Sequence, residues 1–150
     1  MPRVTRSRTV AAPVEEVWRL VSDPYSLPRW WPRTARVENV DRKEGGRRSQ
    51  WTKVLETAEG RGVRADFRCL SAAARERYVW EQELAGTPFE RHLRSSQIEI
   101  ALAERGGETE VSISSTQAMK GMSRLGSPMM RRAQGEMLDT ALDGLQGALG

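Results

Sequence analysis

Side chains able to do chemistry are few in this 150-residue chain. His92 is its sole histidine and Cys69 its sole cysteine. A histidine cluster for a metal and an internal disulfide are therefore excluded, and a Cys69–His92 nucleophile pair would need a contact that sequence spacing alone does not create. Glu81 and Glu83, like Glu108 and Glu110, sit two apart. On strands each pair shares one outer face, where like charges are most simply solvated rather than set against each other as acid and base. No phosphate-binding glycine loop, nucleophile elbow or zinc spacing occurs. No cofactor is expected.

Polar residues on a face that should be apolar say more. In Tyr78-Val79-Trp80-Glu81-Gln82-Glu83-Leu84, alternation puts Tyr78, Trp80, Gln82 and Leu84 together and turns Glu81 and Glu83 away. By the same rule Val63, Ala65, Phe67 and Cys69 oppose Arg64, Asp66 and Arg68, and Val111, Ile113, Ser115, Gln117 and Met119 oppose Glu110, Ser112 and Ser114. A buried amide without a partner costs about 1–3 kcal/mol. Gln82, Ser115 and Gln117 therefore need partners, water or a ligand, unless the two glutamines lie near strand ends and reach solvent.

The segment SDPYSLPRWWPR, residues 22–33, poses a related question. Pro24, Pro28 and Pro32 allow a turn or two of helix at most. Trp30 and Trp31 then point about 100° apart. One indole is expected in the core and the other, Trp31, at the mouth of an apolar interior; the alternative is that both plug the open end of the fold.

Elements that would position these groups follow in a regular order. Val4–Val10 alternates as a strand, and Val14, Val17, Trp18 and Val21 recur at helical spacing after Pro13. Strand-like runs follow near residues 34–43, 48–58, 62–71, 75–84, 91–104 and 109–119. They are separated by breaks at Gly45-Gly46, Glu59-Gly60, Ala72–Ala74, Gly86-Thr87-Pro88 and Gly106-Gly107, short enough for antiparallel hairpins. From Met122 to Leu149 the period becomes helical, with Met122, Leu125, Met129, Ala133, Met137, Ala141, Leu145 and Leu149 read as one stripe. Pro128 either begins this helix or kinks it. The expected class is α+β: a curved antiparallel sheet of about seven strands, two short helices after the first, and a long C-terminal helix covering the open side.

Residues 1–75 carry sixteen Lys and Arg against nine Asp and Glu, whereas residues 76–150 carry eight against eleven. Such asymmetry is compatible with an anion or nucleic-acid surface. Against it, only three of the 24 cations are lysine, the arginines alternate along strand-like runs, and no basic helix appears. The length fits one domain over residues 1–150. The N-terminal run MPRVTRSRTV lacks the apolar stretch of a signal peptide or membrane span, so a cytoplasmic compartment is expected.

The run SRTVAAPVEEVWRLVSDPYSLPRWWP (residues 7–32), with RYVWEQ (77–82), ETEVSISS (108–115) and the terminal helix, resembles the polyketide cyclase/dehydrase and START-related superfamily, SRPBCC, whose helix-grip fold is that of the birch pollen allergen. The resemblance spans nearly the whole chain and specifies no substrate. It implies a cavity between curved sheet and long helix for a small hydrophobic or aromatic, polyketide- or lipid-like ligand. Expected lining residues are Trp31, Trp51, Phe67, Trp80, Gln82, Ser115, Gln117, Met129, Met130 and Met137. Methionines at helical spacing are more often core than ligand surface.

Two functions then compete: a carrier without chemistry, and a cyclase, aromatase or dehydratase. In the second, similarity to cyclases makes His92 or Tyr78 the candidate proton carrier and Arg94 the carbonyl-polarising group, with Gln97 nearby. Nucleic-acid or anion binding by the basic first half is a third reading. Expected partners are a small hydrophobic ligand and, at most, a second copy in a homodimer, with no membrane span.

Overall fold

The computed structural model describes residues 3–43, 48–55, 62–120 and 127–149. Seven strands form one antiparallel sheet: β1 (Arg3–Val10), β2 (Thr34–Asp41), β3 (Gln50–Leu55), β4 (Val63–Ala73), β5 (Arg77–Glu83), β6 (Leu93–Arg105) and β7 (Glu108–Met119). Their spatial order is β1-β7-β6-β5-β4-β3-β2. A meander from β2 to β7 thus brings β7 back beside β1, and the two edge strands are consecutive in sequence. Helices α1 (Val14–Val21) and α2 (Leu27–Trp30) make the connection between those edges, and α3 (Ser127–Leu149) packs beside β1 and α2. The arrangement is the expected α+β helix-grip architecture.

Local chemistry accounts for the joints. At the β6–β7 hairpin Arg105 pairs with Glu108 across a two-residue loop. Gly106 and Gly107 both take positive φ, 58° and 90°, the geometry that matches strand twist and that glycine adopts without penalty. The β4–β5 turn falls slightly later than the sequence suggests, after Ala73, with Arg75 held at φ 64°. Register shifts between β2 and β3, β4 and β5, and β6 and β7 add bends that let a seven-stranded layer curl. The expected breaks at Gly45-Gly46 and Glu59-Gly60 lie outside the described residues.

Between α1 and β2 the prolines do what their positions predict. Ser22 donates its hydroxyl to the Trp18 carbonyl at 2.6 Å as α1 ends. The Asp23 carboxylate then accepts from the Tyr25 amide at 3.0 Å, capping a 3₁₀ turn over Pro24–Ser26. Pro24 and Pro28 occupy early positions of that turn and of α2, where a missing N–H costs nothing.

Helix α3 begins at Ser127 with Pro128 in its first turn, so the proline starts the helix and does not kink it. Its buried side chains are Leu138, Ala141, Leu142 and Leu145, an i, i+3, i+4, i+7 set. The expected stripe rests on steps of four residues, each drifting about 40° around a helix of 3.6 residues per turn. It therefore leaves the core face toward the N-terminal end: Met129 is 80% exposed and Ala133 is exposed as well. Met122 and Leu125 lie outside the described residues.

The arginine excess of the first half is met by acids of the whole fold. Arg6 pairs with Asp139 at 3.6 Å and Arg8 with Asp143, tying edge strand β1 to α3. Arg3 reaches Glu99 at 3.7 Å, and Arg68 pairs with Glu81. These pairs offset part of the asymmetry read along the sequence.

Candidate functional site

Between the concave face and the N-terminal half of α3 lies a cavity of about 830 Å³, within the range that holds small organic ligands. The sheet supplies Phe67 from β4, Trp80 and Gln82 from β5, Ile98 from β6, and Ser115 and Gln117 from β7. Trp31 and Pro32 come from the segment after α2, and Gln134 and Met137 come from α3. Each strand contributes alternate residues, the pattern that period-two geometry requires.

Aromatic rings form the apolar wall. Trp31 meets Trp80 edge-on, with centroids 5.2 Å apart. Trp30 packs against Trp31 at 5.3 Å and 89°, so the adjacent indoles diverge as α2 ends. Both are buried, but only Trp31 lines the cavity. Beneath the wall Trp51 stacks on Phe67 at 6.2 Å and touches Trp80 at 6.0 Å. Trp51 is therefore a support for lining residues and is not itself lining, and its indole N–H is buried with no hydrogen-bond partner among the described residues.

Two pairs of polar groups in the cavity satisfy each other. Ser115 donates to Gln134 Oε1 at 2.6 Å, and the Gln117 amide reaches Ser96 Oγ at 3.4 Å. Gln134 escapes a reading of the sequence in which the α3 stripe is counted from its apolar residues. Met130 lines a small hollow of about 20 Å³ beside Val4 and Met119 that adjoins the main cavity at Ser115, Gln117 and Gln134, and Met129 points to solvent. Of the three methionines expected at the ligand, Met137 alone lines the main cavity.

The three candidate catalytic groups fall elsewhere. His92 caps the 3₁₀ turn Pro88–Arg91, before β6 begins, and is exposed; Arg94 is exposed on β6. Gln97 is half-buried opposite Glu81 and Thr116, away from the cavity lining. Tyr78 is buried in the core between Trp18, Trp51 and Trp80. Burial pushes its hydroxyl pKa up, aided by the neighbouring Cys69 thiol. A phenol so placed stays protonated and is packed as core.

Sequence reasoning misses Lys53. On β3 the residues Trp51, Lys53 and Leu55 alternate onto the inner face, and Lys53 and Leu55 line the cavity. Lys53 is 5% exposed. Its Nζ lies 4.6 Å from the Phe67 ring centroid and 5.4 Å from that of Trp31, a contact ring faces make favourable. Among the described residues no carboxylate pairs with it. Burial alone lowers its pKa from 10.5 to about 7. The signal is present in the sequence: once Trp51 is turned inward, Lys53 must follow.

All 150 residues match the model of the family described as polyketide cyclase / dehydrase and lipid transport. The chain belongs to that family. Among solved structures, a START superfamily protein from Mycobacterium smegmatis superposes with a TM-score of 0.79 at 20% identity, covering 98% of this chain and 96% of that one. A Thermus thermophilus protein gives 0.75 at 21%, covering 99% and 97%. The di-domain ARO/CYC BexL gives 0.78 at 23%, covering 99% of this chain and 46% of that one. These likenesses establish the shared fold. Among curated proteins, none matches. No described helix of this family member is long and apolar enough to cross a membrane, and among the described residues no cluster of His, Cys, Asp and Glu could hold a metal.

Proposed function

We propose that the protein binds a small hydrophobic or aromatic molecule, polyketide- or lipid-like, in the cavity between the sheet and α3. The observation that carries this reading is the cavity of about 830 Å³ walled by Trp31, Phe67, Trp80 and Ile98. Apolar walls with a few placed polar groups are what ligand sites present. The family description, which includes lipid transport and polyketide cyclisation, supports the same reading.

Native mass spectrometry of the freshly purified protein tests it. The expected result is a small-molecule adduct that is lost on denaturation, or, for an emptied sample, uptake of a neutral bicyclic aromatic such as 2-naphthamide. A protein that carries nothing and takes up no such probe overturns the proposal.

A second reading, chemistry on the bound molecule, is favoured by the polar groups inside the cavity. It would assign proton handling to Lys53 and the Ser115–Gln134 pair, since His92, Tyr78 and Arg94 do not line the space. An enzyme of that kind loses turnover with little loss of affinity when these groups are replaced, whereas a carrier changes only in binding.

A further inference from the structure

Lys53 is out of character for this chain. Of 24 cationic residues only three are lysine, and most arginines of the described strands pair with acidic side chains. Among the described residues Lys53 is the one ammonium, guanidinium or carboxylate side chain that is buried. A buried charge is ordinarily paired, because removing one partner leaves the other uncompensated in a medium that solvates it poorly. Here Trp31 and Phe67 offer only their ring faces.

Among the described residues the groups around it offer no counter-ion either. From α3, Glu136 reaches the cavity rim and is exposed, where it pairs with Arg132 at 3.3 Å. From the segment after α2 comes Arg33, also exposed at the rim. On β4, Asp66 accepts from Thr52 on the opposite side of β3, and Glu38 of β2 is taken up by Arg36 and Arg64. Among the described residues the cavity therefore contains one buried cation, with aromatic rings beside it and the uncharged hydrogen-bonding groups Ser115, Gln117 and Gln134 elsewhere in its lining.

Resting on the cavity-binding reading above, we infer that the ligand is an apolar aromatic body bearing one anionic group, a carboxylate or comparably acidic oxygen, and that this group pairs with Lys53 Nζ between Trp31 and Phe67. The ligand supplies the negative charge that no described residue provides. Its apolar part lies over Trp80 and Ile98. Binding then stabilises the ammonium, so the complex takes up a proton wherever the free amine is neutral.

Isothermal titration with 2-naphthoate and its neutral isostere 2-naphthamide separates the outcomes. At pH 6 the wild type is expected to bind naphthoate at least ten-fold more tightly than naphthamide. Above pH 7 naphthoate affinity falls toward ten-fold per pH unit while naphthamide affinity stays level. In Lys53→Met the preference for the anion disappears and naphthamide affinity changes by less than about three-fold. If the wild type binds both probes equally, the anion inference fails and the cavity reading survives. If it binds neither, both fail. The wild-type comparison decides the point even if the variant does not fold.

Discussion

The two ends of α3 face the same sheet and do opposite things. From Leu138 to Leu145 the helix closes on the core so tightly that Leu138, Ala141, Leu142 and Leu145 have no exposed surface. Within the turn before Leu138, Gln134 and Met137 look into open space. The difference is set by what lies across from each end. At the C-terminal end α2 and its Trp30 backbone come close, whereas the N-terminal half borders the cavity lined by Phe67, Gln82 and Gln117 of the sheet. A single helix thus serves as core at one end and as the roof of a cavity at the other.

Truncating side chains on the two halves should separate those roles. Leu142→Ala opens a hole in fully packed surroundings and is expected to cost about 2–5 kcal/mol. Met137→Ala removes a half-buried side chain that already borders empty space, and about 1 kcal/mol or less should be lost. Chemical denaturation of both variants gives the comparison. Equal losses would mean that the roof is as tightly packed as the core.

Much of this division is legible without coordinates. Glycine pairs, prolines and period-two runs carry fold information locally, so Gly106-Gly107, the Pro24–Pro28 turn and the inner face of β5 fall where the sequence puts them. The site is less legible, for two physical reasons. A stripe counted in fours drifts around a helix, which misplaces Met129 and hides Gln134. Lysine is so seldom buried that Lys53 draws no notice, although its alternation with Trp51 is plain. His92 and Arg94 attract attention by residue type, but type says nothing of direction at the end of a strand.

Lys53 gives the next test, through the pH dependence of stability. Its pKa is about 7 in the folded protein and 10.5 when unperturbed, so between these values the unfolded chain holds a proton that the folded one lacks. Stability therefore rises with pH across that window, and the residue is most costly at and below pH 7. Lys53→Met should be more stable than wild type by a few kcal/mol at pH 7, with the gap closing toward pH 10. Urea melts at pH 6, 7, 8.5 and 10 measure it. A gap that does not change with pH would show that Lys53 is as well solvated as a surface amine.

Two glycines of α3 sharpen the contrast further. A methyl group at Gly144 would sit 2.2 Å from the Trp30 carbonyl oxygen, a backbone atom held by α2, and relief requires moving one helix off the other. Gly144→Ala is therefore expected to cost about 1–3 kcal/mol despite alanine's better helix propensity. At Gly135 the same methyl meets Arg6 Nη2 at 2.3 Å, the far end of a half-exposed side chain free to swing aside. Swinging gives up the 3.6 Å contact with Asp139, which at the surface is worth little. Gly135→Ala should then be neutral or stabilising by up to about 1 kcal/mol. Thermal melts of the two variants, made side by side, should move in opposite directions; a shared downward shift of similar size would mean that the cavity end of the helix is held as rigidly as the packed end.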